Sequence, residues 1–238
     1  MLILNQNEVK QLINMSEAID VNEKAYLSYC RGKASSPKRF NMPLDGPEEF
    51  ALFMPGFISD LEGLGVKVVT AFPQNVKKGL PATQAAIMLF DTKNGVPIAF
   101  MDGTYITALR TGAGTGVATK YLAVKDARSV AIIGTGGMAA HQLEAVCAVR
   151  DIEKVYVYNR TTERGKVFIE DMQKTLSCSL AYELASSPEE AVQDADIIVT
   201  STASPTPVVK YEWLKKGAHV NGVGAFNSKM QEVDEELV

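Results

Sequence analysis

The segment from Val130 to Ala139 constrains the fold of this 238-residue chain more than any other. Four apolar residues, Val130, Ala131, Ile132 and Ile133, run straight into Gly134, Thr135, Gly136, Gly137, Met138 and Ala139, and a stretch apolar on one face follows. A short apolar run bounded by glycine reads as a buried strand, and the pattern after it reads as a helix. The junction is therefore Gly-x-Gly-x-x-Ala between strand and helix. Gly134 makes the tight turn, Gly136 lets the backbone approach a pyrophosphate, and Ala139 lets the helix pack closely on the strand. The helix start then offers free N–H groups and a positive dipole end to the phosphates. Strand, turn, helix and a second strand, Val155 to Tyr158, fall in the required order, so the segment reads as a dinucleotide site. A glycine-rich turn without a ligand is the alternative.

The second strand ends in Asn159, Arg160 and Thr161, 25 residues after Gly134. An acidic residue there would grip the ribose 2′-hydroxyl of NAD, whereas an arginine pairs with the 2′-phosphate of NADP. Arg160 favours NADP(H), with NAD(H) still open; a solvated arginine in a loop is the plain reading. Thr200, Ser201 and Thr202, at the end of a later strand, stand where such folds place loops beside the cofactor. Their hydroxyls could equally cap a helix or a turn.

From Ser129 onward strands and helices alternate. Val130–Gly134 leads to a helix ending near Val149, Lys154–Asn159 to a helix from Thr162, and a strand near Ser179–Glu183 to a helix from Pro188. The strands Asp196–Thr200 and Ala218–Val223 flank a short helix near Tyr211–Lys216. This alternation predicts an α/β domain, a Rossmann doubly wound parallel sheet over residues 126–238. Residues 1–125 read as an α+β domain. It opens with a strand at Leu2–Leu4 and helical periodicity from Asn7 to about Arg31, with Ser16 as an internal N-cap. A loop holding Pro37, Lys38 and Arg39 follows. Then come β-rich runs at Phe50–Ile58, Gly65–Phe72, Ala85–Asp91 and Val96–Asp102, the last two joined by a turn at Asn94 and Gly95. A helix over Thr104–Ala123 contains Gly112, Gly114 and Gly116, which are costly in a helix and suit close approach of another backbone or a ligand.

Composition narrows the partners. With 24 basic and 28 acidic residues and no run of five like charges, the chain lacks the electrostatic footprint of a nucleic-acid binder. Cys30, Cys147 and Cys178 are widely spaced and contain no Cys-x-x-Cys pair, so neither a disulfide framework nor a zinc site is indicated and no metal is expected. No stretch approaches the roughly 18 apolar residues of a membrane span, and Met1–Asn14 carries no export pattern. A cytoplasmic protein acting on small molecules is expected.

Three cations in the first half pose a choice. Lys67 lies within the apolar run Val66–Val69, where period-2 geometry aims it to the side of Val69 and Ala71, either onto a wet edge or into a pocket. Arg110 is either a helix-surface charge or an anion ligand. Arg39 could be a loop salt bridge.

At this point the residues are similar to those of a known family. Pro37 to Arg39, Gly65 to Lys67, Gly79 to Gln84, Met101 to Gly103, Ala108 to Ala113 and Gly134 to Met138 stand in the order and context of the ornithine cyclodeaminase/mu-crystallin family. The resemblance spans nearly the whole chain. It implies that Lys67 lies beside the substrate's reacting carbon and nitrogen and that Arg39 binds the substrate carboxylate. Thr83, Gln84, Arg110 and Thr111 would meet the cofactor phosphates or the substrate. It also implies a homodimer whose α+β domains form the interface.

Ornithine cyclodeaminases place an aspartate, in a Gly-Asp-x-Pro-Gly setting, just after the strand that corresponds to Ala218–Val223. Here the segment reads Val223, Gly224, Ala225, Phe226, with Phe226 at the aspartate's place. The chain therefore resembles the mu-crystallin and imine-reductase branch, and an NAD(P)H-dependent reductase of the C=N bond of a cyclic imino acid is expected. An ornithine cyclodeaminase, an alanine-type amino-acid dehydrogenase and a non-catalytic NADPH-binding protein are the rivals. Family members continue beyond the point where this sequence stops, at Glu235–Val238, so a C-terminally truncated Rossmann domain is also expected.

Overall fold

The computed structural model describes residues 1–46, 48–176 and 178–238. The chain divides into two compact units, Met1–Arg110 and Thr111–Val238, and the division falls inside a helix rather than after it, where the sequence reading sets the junction.

The first unit is built on a mixed sheet. Its elements in chain order are β1 (Leu2–Leu4), α1 (Gln6–Leu12), α2 (Met15–Cys30), β2 (Ala34–Ser35), β3 (Phe40–Pro43), β4 (Phe50–Ile58), β5 (Gly63–Ala71), β6 (Thr83–Phe90) and β7 (Pro97–Asp102). The helix α3 (Thr104–Leu122) follows and crosses the unit boundary. The sheet order is β1-β7-β6-β5-β4-β2, with β3 also on β4; β1 runs parallel to β7 and the other pairs are antiparallel. The turn expected at Asn94 and Gly95 forms: the Asp91 carboxylate accepts from the amides of Lys93 and Asn94, and Gly95 takes φ 77°.

Two readings of this region change. The single helical stretch is two helices, and the cap of the second is Asn14, not Ser16, which is already inside α2. Asn5 and Asn14 each accept from a backbone N–H three residues on, while Glu8 and Glu17 reach back to the asparagine amides. These capping boxes satisfy N–H groups that a helix start leaves open, and Ile13 in extended conformation breaks the chain between them. The segment around Pro37 is not all loop, because β2 and β3 flank it and pair with β4. Every residue of β3 is exposed, so no apolar alternation marks it.

The second unit contains β8 (Ser129–Ile133), α4 (Ala139–Val149), β9 (Lys154–Tyr158), α5 (Thr162–Thr175), β10 (Ala181–Leu184), α6 (Pro188–Val192), β11 (Ile197–Thr200) and β12 (His219–Gly222). All five strands are parallel, in the order β10-β9-β8-β11-β12. Counted from the first strand of the unit this is 3-2-1-4-5, the doubly wound order, which reverses between β8 and β11. Successive residues of β8 point to opposite faces. Val130 and Ile132 join one core with Leu143 and Val146 of α4 and Phe168 of α5, whereas Ala131 and Ile133 join another with Ala191 and Val192 of α6. The full burial of β8 and β11 explains why both are apolar but for Ser129 and Thr200 at one end of each.

Two charged side chains lock this unit. Arg150, just past α4, donates to the carbonyls of Thr119, Lys120, Ala123 and Val124 at 2.8–3.1 Å, which closes the C-terminal end of α3 where carbonyls otherwise lack partners. Asp196 accepts from the amides of Arg128 and Ser129 and from the Ser129 hydroxyl, and pairs with Lys215 at 2.6 Å, joining the starts of β8 and β11. Among the helix glycines, Gly112 has a backbone neighbour: a Cβ there would lie 2.3 Å from the His141 carbonyl oxygen. Among the described residues no helix is long and apolar enough to cross a membrane.

Candidate functional site

Each unit carries candidate site residues of its own. In the second, Gly134 leaves β8 with φ 92°, and a Cβ on it would lie 2.7 Å from the Thr202 methyl carbon and 2.8 Å from the Ser201 carbonyl oxygen. No side chain fits there, so the turn is tied to the loop after β11 at the point where the strand order reverses. Doubly wound sheets bind ligands outside the carboxyl ends of their strands at this switch point. The Gly134 amide donates to Tyr158 O, and the Thr135 amide donates to the Asn159 side chain at 3.1 Å.

The amides of Gly136, Gly137 and Met138 make no hydrogen bond among the described residues, and the Thr135 hydroxyl is buried without a partner. Buried polar groups are ordinarily satisfied, so open donors at the start of an eleven-residue helix fit a pyrophosphate. Asn159 also donates to Thr161 O at 2.9 Å and so shapes the loop that carries Arg160. Arg160 and Thr161 are exposed.

In the first unit, Lys67 on β5 lies between Met54 of β4 and Ile87 of β6, and its ammonium donates to the Thr107 hydroxyl of α3 at 3.3 Å. Lys67 therefore stands half-buried on an interior strand, not on an edge of the sheet. Burial first, then the guanidinium groups of Arg110 and Arg39, hold its pKa down at about 8. Arg110 is also pulled below the usual arginine range, by burial, opposed by Tyr26 and assisted by Arg39. Lys67 thus feels both arginines and Arg110 feels Arg39, and among the described residues none of the three makes an ion pair. Lys67 is half-buried and both arginines are exposed, so the three present positive charge to an anion arriving from solvent.

Thr83 and Gln84 open β6 opposite Ala71 and Thr70, and Gln84 is exposed. Thr111 is half-buried on α3 and begins the second unit. Phe226, in the loop after β12, is 54% exposed. Thr107 and Tyr26 escaped the sequence reading. Thr107 precedes Arg110 by three residues and therefore shares its helix face, a signal that was present; nothing local singles out Tyr26.

An open five-stranded parallel sheet with an unpaired amide cradle at its switch point defines a dinucleotide-binding Rossmann unit, preceded here by an α+β unit that gathers three cations. The chain belongs to the ornithine cyclodeaminase/mu-crystallin family, whose model matches residues 1–238. It is 43% identical over 238 residues to a Δ1-pyrroline-2-carboxylate reductase of Bacillus cereus, covering 100% of this chain and 72% of that one. It is 32% identical to the ketimine reductase mu-crystallin of Rattus norvegicus, covering 99% of this chain and 74% of the relative. Among solved structures it is similar to the Δ1-pyrroline-2-carboxylate reductase of Thermococcus litoralis in complex with NADH and L-proline. There the TM-score is 0.94 at 44% identity, over 99% of this chain and 72% of that one.

Proposed function

We propose that this protein is an NAD(P)H-dependent oxidoreductase that reduces the C=N bond of a cyclic imino acid, with Δ1-pyrroline-2-carboxylate as the first substrate to try. The observation that carries this reading is the set of three cations, Lys67, Arg39 and Arg110, which make no ion pair among the described residues. An imino acid offers the carboxylate they lack and a nitrogen that must be protonated before its carbon accepts hydride. The similarity to reductases from Bacillus cereus and Thermococcus litoralis supports the same choice.

A reduced nicotinamide dinucleotide, when bound, supplies the hydride. The chain's own residues do the rest. Gly134, Thr135, Gly136, Gly137 and Met138 hold the pyrophosphate, with Thr202 behind the turn and Asn159, Arg160 and Thr161 toward the adenosine ribose. Arg39 and Arg110 hold the substrate carboxylate, and Thr83, Gln84 and Thr111 add polar contacts to substrate or phosphate. Lys67 places positive charge beside the imine nitrogen. With a pKa near 8 its ammonium gives up a proton more readily than an ordinary lysine, although a bound carboxylate draws that value back up.

The first unit thus serves the substrate and the second the dinucleotide. Arg160 favours NADP(H), while the NADH in the Thermococcus litoralis structure keeps NAD(H) in play. A homodimer through the first unit fits the side chains its sheet exposes: Leu2 and Ile3 of β1, and Ile98 and Phe100 of β7 on either side of buried Ala99.

The test is the fall in NADH or NADPH absorbance when the purified protein meets pyrroline-2-carboxylate or piperideine-2-carboxylate. Oxidation of either nucleotide by these imines supports the reading. Ammonia release from ornithine with catalytic NAD, or oxidation driven only by pyruvate and ammonia, would replace it with a cyclodeaminase or an alanine dehydrogenase.

A further inference from the structure

Glu232 is a carboxylate buried to 3% exposure in the second unit, and among the described residues no cation pairs with it. It is held instead by four hydrogen bonds from two loops. One oxygen accepts from the Thr202 amide at 2.6 Å and the Thr202 hydroxyl at 2.8 Å; the other accepts from the amides of Gly224 at 2.6 Å and Ala225 at 3.0 Å. Thr202 follows β11, and Gly224 and Ala225 follow β12, so one side chain ties together the loops at the carboxyl ends of neighbouring strands. The approach is close: a Cβ on Gly224 would lie 2.0 Å from the Thr202 carbonyl oxygen. Glu232 is itself anchored, since its backbone carbonyl accepts from the amides of Val208 and Val209 and the adjacent Val233 bridges to Val209.

A buried charge without a counter-ion persists only where several donors replace its water, and each such charge-assisted bond is stronger than a neutral one. Two of the four bonds come from Thr202, whose methyl carbon lies beside Gly134, the first glycine of the dinucleotide turn.

We propose that Glu232 is a positioning residue for the dinucleotide: it holds the loops after β11 and β12 so that Thr202 and Ser201 brace the turn at Gly134. This rests on the reading of that turn as the dinucleotide site. Glutamine at the position keeps the shape but turns an N–H₂ group toward donors. Glu232→Gln should therefore raise the Kd for NADH by on the order of tenfold, the loss expected for a hydrogen bond to a charged acceptor.

The experiment titrates NADH and NADPH into the full chain and into Glu232→Gln by nucleotide fluorescence, with thermal unfolding of both. It adds amide hydrogen exchange of the unmutated protein at Thr202, Gly224 and Ala225. A weakened nucleotide Kd in a variant that still melts cooperatively supports the proposal. Equal Kd values overturn it while leaving the dinucleotide reading intact, and an unmutated protein that binds neither nucleotide overturns both. Should the variant fail to melt cooperatively, exchange decides: joint protection of the three amides, deepened by NADH, supports the clamp, and unprotected amides or indifference to NADH sink it.

Discussion

The Thr107 hydroxyl stands 3.3 Å from the Lys67 ammonium, and its own proton is committed to the Gly103 carbonyl at 2.7 Å. Thr107 can therefore only accept from Lys67, which fixes the direction of the lysine without taking its proton. Lys67→Ala should lower kcat by on the order of 10²-fold, with NADH binding nearly intact, as for loss of a positioned acid. Thr107→Val, which keeps the shape and loses the acceptor, should cost less, roughly 3- to 10-fold in kcat. Steady-state kinetics with pyrroline-2-carboxylate check both, and a fully active Lys67→Ala enzyme would remove the lysine from the chemistry.

The same lysine sets a pH dependence. Its folded pKa of about 8 lies below the ordinary 10.5, so between these values the unfolded chain binds more protons than the native one, and stability attributable to Lys67 rises with pH across that window. The unfavourable contribution is fully present below about pH 8. A carboxylate ligand such as L-proline should offset it and raise the Tm at pH 7, and the gain should shrink in Arg39→Ala. A calorimetric scan with and without proline would show this; no shift at saturating proline would argue against an anion site.

Cofactor choice turns on Arg160, which is exposed on the loop shaped by Asn159. If it grips a 2′-phosphate, NADP(H) should bind more tightly than NAD(H) by about 1–3 kcal/mol. Arg160→Asp should then reverse the order. Tighter binding of NADH by the unmutated protein would assign Arg160 to solvent.

Gly134→Ala should both loosen the fold and weaken nucleotide binding. The residue sits at φ 92°, and the new methyl would meet the Thr202 methyl carbon at 2.7 Å. Positive φ and overlap together should cost on the order of 1–3 kcal/mol. Chemical denaturation of the variant measures it, and a midpoint equal to that of the unmutated protein would contradict the geometry.

Asp196 predicts an acid limb of stability. Burial works against its charge, but the Lys215 ammonium and the donors from Arg128 and Ser129 outweigh it and hold the carboxyl at about 2, against an ordinary 3.8. This support is complete above the unfolded value and fades as pH falls from about 4 toward 2. Asp196→Asn should lower the Tm at pH 7 and flatten its decline in acid. An unchanged acid profile would show that other carboxylates govern it.

The Rossmann unit, its strand-turn-helix junction and most elements of both units are legible along the sequence, β2 and β3 excepted. Those signals are local. A strand buried on both faces reads as a near-continuous apolar run, as Val130–Ile133 of β8 does, and a turn with no room for Cβ must be glycine, as at position 134. The split between α1 and α2 is encoded just as locally, in the capping box of Asn14 and Glu17, with Ser16 one residue inside the helix.

Other features were settled only by tertiary structure. Lys67, Arg39 and Arg110 come from a strand, a loop and a helix, and each alone is as consistent with a wet surface as with a site. Their convergence follows from strand pairing and from the packing of α3, which no window of neighbouring residues encodes. Glu232 is the extreme case: in a segment that reads Gln231, Glu232, Val233, Asp234 it has the look of one more solvated acid. Its burial and its four donors are set by two loops, one of them at Thr202 far earlier in the chain, because a charge is stable inside a protein only where the fold has already brought its partners together.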